Sequence, residues 1–475
     1  GTPLLVTAGQ QDRRLWFEEP ILWGDMVSVA KPWTKWATQV ERVEDVPLAV
    51  RRAVQTALTP PTGPVFLSLP VDVQMEASDR LDMSPIRLPN PMVRPPRESL
   101  VRAAEVLRSA RNPAILAGSR ITERDAFEPL VAVAERLGAP VFTESGTTHG
   151  RLAFPSDHPL NGQGLPLWSP EVRERLQEFD TLLVVGMDLL RQYVYHEPAR
   201  AITEHIRLVH LDEDAWQLGK NYAVEVGVLG HIRISLTELN DELRTTMTNT
   251  EVAAARERGE TRAAAHRAAR ERFAAQIQAE PDSRPMTPLR LMGALAGVLP
   301  DDVAIVEEAV TTTNTTFERL GRLRNNTGYF GHRGWALGWG LGCSIGASLA
   351  WPERPVLAML GEGAAMYGIQ GLWSAARYRI PVTFVICNNA QYQILKIGAR
   401  GLALPQAAAG RFEGLDLDVP EVDFVALAKS LGVEAHRVTE PDELAERVRD
   451  SLLNRRLCLF DVPISRTPQS RLNYG

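Results

Sequence analysis

The chain has 475 residues, of which 44% are hydrophobic, and its formal net charge is -6. This length is enough for about three domains of ordinary size, and a negative chain lacks the basic field of nucleic-acid binders, so we expect no nucleic-acid partner. No apolar run reaches the roughly 18 residues of a membrane span, and three scattered cysteines do not make a disulfide framework, so we predict a cytoplasmic protein without a membrane partner.

The first segment is predicted to fold as strand, helix, strand. Apolar runs at 3–8 and 64–70 flank a helix-like stretch at 46–58. Because a chain does not usually begin on a central strand, we expect residues 1–82 to be the back part of an α/β domain whose front precedes Gly1. Residues 85–96 contain five prolines, which favours an extended connection.

The rest of the chain alternates helices with buried strands, which indicates parallel sheets. Residues 98–245 are predicted to be a central α/β domain, 246–284 a helical linker rich in Ala, Arg and Glu, and 285–467 a third α/β domain. The predicted fold class is α/β, with three tandem doubly wound parallel-sheet domains, the first incomplete at its N-terminus. The predicted strands of the last two domains lie at 114–118, 139–142, 181–186, 206–211, 303–307, 356–360, 382–386 and 457–462.

Two strand ends in the third domain carry oxygen-bearing side chains. Residues 355–363 and 381–389 form a strand-helix-strand unit, in which both strands point the same way, so Glu362 and Asn389 should lie at neighbouring C-terminal ends. A carboxylate, an amide oxygen and a backbone carbonyl suit Mg²⁺ and leave positions for phosphate oxygens. The flanking Gly361 and Gly363 let backbone approach a ligand. The predicted ligand is a metal diphosphate.

Either half of this pattern alone is usually turn chemistry. Their combination is more specific, because 24 residues separate Gly363 from Asn388. That spacing places both halves on consecutive strand ends, where α/β sheets bind ligands.

The pattern resembles the metal-binding motif of thiamine diphosphate enzymes, and the order of the three domains is similar to the pyrimidine-binding, central and diphosphate-binding domains of that family. The closest resemblance is to the benzoylformate decarboxylase group of 2-keto acid decarboxylases. It is carried by segments 5–11, 63–70 and 415–420, with Asp423 and Phe424 just after the last.

The resemblance implies a set of site residues. Glu362, Asn389 and the carbonyl of Gln391 would bind Mg²⁺. Leu337 would hold the cofactor in its bent conformation, and the Trp335 carbonyl would meet the aminopyrimidine, although core packing is the alternative for both residues. The other implied cofactor-binding residues are Thr311, Gly361, Gly363 and Ala364.

Several positions depart from the family pattern. The metal acid is normally Asp, and Glu362 is one methylene longer. The catalytic histidine maps to Tyr193, whose phenol is a poorer proton shuttle than imidazole. His196 is a second candidate, unless it is a solvated or core residue. The family's cofactor-activating glutamate would precede Gly1. The implied substrate-pocket residues are Ile394, Leu395 and Gly398.

The leading hypothesis is a lyase that uses thiamine diphosphate and Mg²⁺ to decarboxylate a 2-keto acid non-oxidatively to an aldehyde. One alternative is a carboligase of the acetohydroxyacid synthase type, and another is a degenerate cofactor-binding protein without turnover. Because the family shares each active site between subunits, the resemblance also implies a homodimer or homotetramer.

Overall fold

A computed structural model of the chain describes residues 1–144, 150–166, 168–191, 195, 197, 200–331, 334 and 336–466. Within these residues the strands form one three-stranded and two six-stranded sheets. The strands are β1 (Leu5–Gln10), β2 (Trp36–Gln39), β3 (Val65–Pro70), β4 (Pro113–Ala117), β5 (Val141–Thr143), β6 (Asn161–Gly164), β7 (Thr181–Val185), β8 (Arg207–Asp212), β9 (Val226–Leu229), β10 (Ala304–Glu308), β11 (Tyr329–Phe330), β12 (Val356–Gly361), β13 (Thr383–Asn388), β14 (Glu434–Arg437) and β15 (Cys458–Pro463).

Helices connect most of these strands. Through the first two sheets they are α1 (Met26–Ala30), α2 (Val46–Leu58), α3 (Val71–Met75), α4 (Arg97–Arg108), α5 (Arg120–Glu123), α6 (Phe127–Leu137), α7 (Ser169–Leu176), α8 (Ile232–Thr246) and α9 (Asn249–Gln278). In the last part they are α10 (Pro288–Ala296), α11 (Val310–Thr313), α12 (Thr316–Arg319), α13 (Trp339–Ala350), α14 (Glu362–Ala365), α15 (Gly371–Tyr378), α16 (Gln393–Gly401), α17 (Pro405–Ala408), α18 (Phe424–Ser430) and α19 (Pro441–Leu453). Short 3-10 helices span Arg13–Glu18, Lys31–Trp33 and Val43–Asp45.

The first compact unit comprises residues 1–94, 213–215 and 229–231. Its sheet has the order β1-β3-β2, with both pairs parallel. The amphipathic helix α2 buries Ala53 and Ala57 against Val65 and Leu67 of the central strand. The two predicted strands and the helix between them are observed, but the prediction missed β2 and α1, which lie between β1 and α2. Residues 76–96, all of which the structure describes, contain no helix or strand.

The second unit comprises residues 95–212, 216–228 and 232–475 and contains both six-stranded sheets. The first of these has the order β6-β5-β4-β7-β8-β9. Along β4, Ile115 and Ala117 face one hydrophobic core, whereas Ala114 and Leu116 face another. Strands that are apolar on both faces need cover on both faces, which the helices provide.

The second six-stranded sheet has the order β11-β10-β12-β13-β15-β14, and its strand pairs are parallel. It also lies between two cores, because Leu357 and Met359 of β12 face one and Ala358 and Leu360 face the other. The predicted fold class of parallel α/β sheets is therefore confirmed. The limits of the individual domains stay predictions.

Helix α9 confirms the helix expected near 251–280. It begins with a capping box, in which Glu251 accepts the Thr248 N–H at 2.7 Å and Thr248 Oγ1 accepts the Glu251 N–H at 3.3 Å. Gly138, with φ of 58°, ends α6, and a Cβ there would lie 1.9 Å from the Ala255 carbonyl oxygen. Glycine therefore lets α9 pack closely against α6.

Membrane-spanning helices are absent from the described part of the chain, since none combines the required length with the required apolar character.

Candidate active site

Glu362 and Asn389 lie at one edge of the third sheet. Strands β12 and β13 are parallel neighbours, and Gly361 pairs with Cys387 near their C-terminal ends. Glu362 is the next residue after β12, and Asn389 is the next after β13. Both side chains are buried, with 6% and 7% exposure. The sheet brings the two residues together as their sequence positions predict.

The oxygens of these side chains converge on one backbone N–H. The Gln391 N–H donates to Glu362 Oε1 and to Asn389 Oδ1, at 3.1 Å in each case. Between them Ala390 adopts the left-handed conformation with φ of 49°, which turns the chain back toward Glu362. The loop after β13 therefore holds a carboxylate and an amide oxygen next to each other.

The electrostatics of Glu362 fit a bound cation. Burial raises its pKa to about 7, and backbone hydrogen bonds from the loop only partly oppose this rise. None of the ion pairs formed among the described residues includes Glu362. A buried carboxylate without a counter-charge is unfavourable, and a divalent cation would supply that charge. The donor set contains only oxygen, which suits Mg²⁺.

The polar atoms of the Gln391 side chain are engaged in hydrogen bonds, so the side chain is poorly suited to bind a metal. Its Oε1 accepts a hydrogen bond from Lys396 Nζ at 2.8 Å, and its Nε2 donates to Gln393 Oε1 at 2.5 Å. Lys396 also binds Asp416 Oδ1 at 2.6 Å. The Gln391 carbonyl oxygen accepts the Gln393 N–H at 2.9 Å and keeps a second lone pair. It is the atom of this residue that remains suited to a metal.

Arg466 fixes the same loop from the C-terminal side of the chain. Its guanidinium donates to the carbonyl oxygens of Asn389 at 3.1 Å and Ala390 at 2.9 Å. It also forms an ion pair with Asp418 at 2.8 Å. Since both carbonyls already accept these bonds, the loop geometry around Asn389 is set before any ligand binds.

The two glycines beside Glu362 differ in the space around them. A Cβ on Gly363 would lie 2.8 Å from the Tyr392 ring, which is too close for a real side chain. A Cβ on Gly361 would meet nothing nearer than the Glu308 carbonyl oxygen at 3.6 Å. Only Gly363 is therefore required by close packing.

Gly363→Ala is expected to lower the melting temperature by several degrees, because its methyl group must displace Tyr392. Overpacking of this kind typically costs about 1–3 kcal/mol. Gly361→Ala is the matched control, since Gly361 has φ of -71° and ψ of 147°, which alanine adopts freely. Thermal denaturation would compare the two variants, and equal losses of melting temperature would contradict the expectation.

The N-terminus of α13 is anchored by a buried acid that the sequence analysis did not single out. Glu308, which ends β10, accepts backbone N–H groups from Gly338 at 2.8 Å, Trp339 at 3.2 Å and Gly340 at 2.7 Å. Two of these bonds use Oε1 and one uses Oε2, so both carboxylate oxygens are engaged. In the sequence, the signal for Glu308 was its position as an acidic residue directly after the predicted apolar strand 303–307.

Leu337 lies in the turn immediately before this anchored helix end. It is 50% exposed, so core packing, the alternative that the sequence left open for it, does not apply. Thr311, on the short helix α11, is partly exposed. Their roles toward a cofactor stay predictions.

The three residues predicted for the substrate pocket share helix α16. Leu395 is 51% exposed, while Ile394 and Gly398 are partly exposed. A Cβ on Gly398 would meet no atom within 4 Å. The helix follows the candidate metal loop directly, so these residues lie close to it along the chain.

Three predicted site residues lie outside the described part of the chain. These are Tyr193, His196 and Trp335. Their proposed roles stay predictions.

Two buried carboxyl groups, those of Glu307 and Glu318, were also not predicted from the sequence. The Tyr329 hydroxyl donates to Glu307 Oε2 at 2.8 Å, and Thr143 Oγ1 donates to Glu318 Oε1 at 3.3 Å. Burial raises the pKa of Glu307 and of Glu318 to about 7. Glu307 belongs to the predicted strand 303–307. The sequence signal for a buried carboxyl group there was a single acidic residue within an apolar strand.

The chain is thus an α/β protein whose oxygen-bearing side chains Glu362 and Asn389 lie at the carboxyl ends of parallel strands, the edge where such sheets commonly bind ligands. Residues 100–239 match the sequence model of the thiamine pyrophosphate enzyme central domain. Residues 309–462 match that of the thiamine pyrophosphate enzyme C-terminal TPP binding domain. With the relatives below, these matches show that the chain belongs to the thiamine pyrophosphate enzyme family.

Among curated proteins, benzoylformate decarboxylase of Pseudomonas aeruginosa is 31% identical over 97% of this chain and 82% of its own length. A probable acetolactate synthase large subunit of Methanocaldococcus jannaschii is 25% identical over 98% of this chain and 77% of its own length.

Two solved structures extend the likeness to the fold. Benzoylformate decarboxylase from Polynucleobacter necessarius superposes with a TM-score of 0.83, at 26% identity, over 99% of this chain and 83% of that chain. A 4-hydroxybenzoylformate decarboxylase from Rhodococcus jostii gives a TM-score of 0.82, at 26% identity, over 98% and 83%. The family predicted from the motifs is confirmed, and the chain is a thiamine diphosphate-dependent enzyme of the group that includes these decarboxylases and the acetolactate synthases.

Proposed function

We propose that this protein catalyses the non-oxidative decarboxylation of a 2-keto acid similar to benzoylformate. In this reaction the bond between the keto carbon and the carboxylate breaks, CO₂ leaves, and a proton takes its place to give the aldehyde. The likeness to benzoylformate decarboxylase across 97% of the chain carries the proposal.

The oxygen-rich sheet edge supports a metal-dependent form of this chemistry. Glu362, Asn389 and the Gln391 carbonyl would hold Mg²⁺, with the backbone at Gly361, Gly363 and Ala364 beside the diphosphate. Thiamine diphosphate, when bound, supplies an electron sink for the decarboxylation.

Other residues would serve the organic part of the cofactor and the substrate. Thr311, Trp335 and Leu337 would contact the thiamine rings, and the substrate would lie against Ile394, Leu395 and Gly398 of α16. These three pocket residues differ in bulk from the pattern of the benzoylformate decarboxylase group.

Tyr193 and His196 are the proposed proton-transfer candidates. If either one donates the proton to the product, Tyr193→Phe or His196→Asn should lower kcat and shift its pH profile. Unchanged profiles in both variants would remove this role from both residues.

Product analysis tests the proposed reaction. The protein, expressed from its complete gene, would be incubated with benzoylformate, thiamine diphosphate and Mg²⁺, and CO₂ and benzaldehyde would be measured together. We expect the two in equal amounts. Cofactor binding without turnover on benzoylformate or other 2-keto acids would contradict the proposal and favour the degenerate cofactor-binding alternative.

A carboligase is the second candidate, favoured by the similarity to the probable acetolactate synthase over 98% of the chain. An enzyme of this type would join the decarboxylated fragment to a second carbonyl compound. The assay above, repeated with pyruvate and with an added aldehyde, separates the two. A hydroxyketone as the main product in place of free aldehyde would establish the carboligase.

We also propose that the protein is active as a homodimer or homotetramer, with the homodimer as the smallest active form, because the family resemblance implies active sites shared between subunits. Dilution should then release cofactor by mass action. Light scattering across a concentration series, with cofactor binding measured in parallel, tests this. A monomer that keeps thiamine diphosphate would refute it.

A further inference from the structure

A second cluster of metal-ligand side chains lies at the opposite end of the third sheet. Glu434 and His436 belong to the edge strand β14, and Cys458 begins the neighbouring strand β15. Their ligand atoms all lie within 4.8 Å of one another. Within the described part of the chain, no other set of three His, Cys, Asp or Glu side chains was found with that geometry.

The pairing of the two strands brings these side chains together. Glu434 pairs directly with Cys458, and His436 pairs with Phe460. Residues two apart on a strand point to the same face, so the carboxylate, the imidazole and the thiol share one face. The cluster is therefore built on strands, whose backbone hydrogen bonds fix its geometry.

Neighbouring side chains orient two of the three groups. His436 Nε2 lies 2.9 Å from Glu434 Oε1, and its ring stacks on Phe460 with centroids 6.2 Å apart. The other carboxylate oxygen, Oε2, accepts a hydrogen bond from Arg456 at 2.9 Å. Arg456 thus holds one oxygen and leaves the other directed at the imidazole.

The cluster is closed on one side and open on the other. Cys458 is only 3% exposed, whereas Glu434 is exposed and His436 is partly exposed. An ion could enter from solvent past Glu434 and reach the buried sulfur. Burial also raises the pKa of the Cys458 thiol to about 12.

We propose that Glu434, His436 and Cys458 form a binding site for Zn²⁺. Sulfur, imidazole nitrogen and a carboxylate oxygen are zinc ligands, and three protein ligands with a water complete its tetrahedron. In such a tetrahedron the ligand atoms lie about 3.3–3.6 Å apart, so the Nε2 to Oε1 contact has to open slightly, and any of the separations that approaches 4.8 Å has to shorten. As the zinc-sulfur bond forms, the thiol proton leaves to solvent.

This site is separate from the candidate magnesium site. Cys458 pairs with Thr383, the first residue of β13, whereas Asn389 follows the last residue of that strand. The length of β13 therefore places the two sites roughly 20 Å apart. The two sites also differ in the metal that they favour. Mg²⁺ prefers oxygen ligands, whereas this cluster contains a thiol and an imidazole.

A bound zinc ion would link the edge strand β14 to β15. Because binding to the folded state alone stabilises it, zinc should raise the melting temperature of the protein. This readout does not depend on catalysis, so it is independent of the proposed function.

Zinc binding to the untagged protein, saturated with Mg²⁺ and thiamine diphosphate, tests the site by equilibrium dialysis. We expect one zinc ion per chain, with affinity reduced at least about tenfold in Cys458→Ser and in His436→Asn. Cys343→Ser is the matched control, since Cys343 is a free thiol outside the cluster, and it should bind zinc as the wild type does.

Cobalt spectroscopy of the wild-type protein gives a test that needs no variant. Co²⁺ in this site should show a thiolate-to-metal charge-transfer band, which Zn²⁺ should abolish by displacement. Absence of that band, absence of zinc binding, or zinc binding that persists in Glu434→Gln, His436→Asn and Cys458→Ser would overturn the proposal. The cluster would then be an ion-pair network only.

Discussion

Replacing Glu362 or Asn389 with alanine is expected to abolish magnesium-dependent binding of thiamine diphosphate. Each substitution removes one of two buried oxygens that converge on the Gln391 N–H. Loss of a ligand from a charge-dense site should weaken affinity by about 100-fold or more, which corresponds to about 2.7 kcal/mol. Calorimetry with thiamine diphosphate, in the presence and absence of Mg²⁺, measures this loss.

Two further variants make the experiment specific. Glu362→Asp keeps the carboxylate and shortens it to the acid of the family motif, so its affinity should equal or exceed that of the wild type. Glu353→Ala removes an acid whose side chain is 93% exposed and should change nothing. Unchanged affinity in both Glu362→Ala and Asn389→Ala would refute the metal assignment, and a severe loss in Glu362→Asp would show that the site is adapted to the longer acid.

The position of this site could be predicted from sequence because it depends on local order. Two apolar strands joined by a helix usually run parallel, and their final residues lie close together when the strands are neighbours, as β12 and β13 are. The predicted strand at 356–360 is observed as Val356–Gly361, and that at 382–386 as Thr383–Asn388. An error of one or two residues in the predicted strand bounds still leaves the C-terminal ends of β12 and β13 next to each other.

The contacts that hold the site could not be predicted in the same way. Arg466 is 77 residues from Asn389, whose carbonyl it binds, and Glu308 is 30 residues from Gly338. Neither contact leaves a periodic pattern in the sequence, because each arises only when separate elements pack. Strand β6 is a similar case, since its sequence, Asn-Gly-Gln-Gly, has turn-forming residues and becomes a strand through pairing with β5.

Glu308→Ala is expected to be among the most destabilising single substitutions in the second unit. It leaves the three N–H groups at the start of α13 without their charged acceptor and opens space between β10 and that helix. Hydrogen bonds to charged groups contribute about 1.5–3 kcal/mol each, and since such effects do not add fully, we expect a loss of about 3–5 kcal/mol. Denaturant unfolding followed by circular dichroism measures this change.

Glu308→Gln is the matched variant, because it keeps the shape of the side chain and one acceptor oxygen but loses the charge. Its loss of stability should be clearly smaller than that of Glu308→Ala. Gly340→Ala also disturbs this anchor, but less specifically, since its Cβ would lie 2.7 Å from Leu360 Cδ2 as well as 2.8 Å from Glu308 Oε2. If Glu308→Ala costs less than about 1 kcal/mol, the carboxylate does not anchor α13. If instead Glu308→Ala loses clearly more stability than Glu308→Gln, the charged carboxylate anchors the start of α13, which the turn at Leu337 leads into.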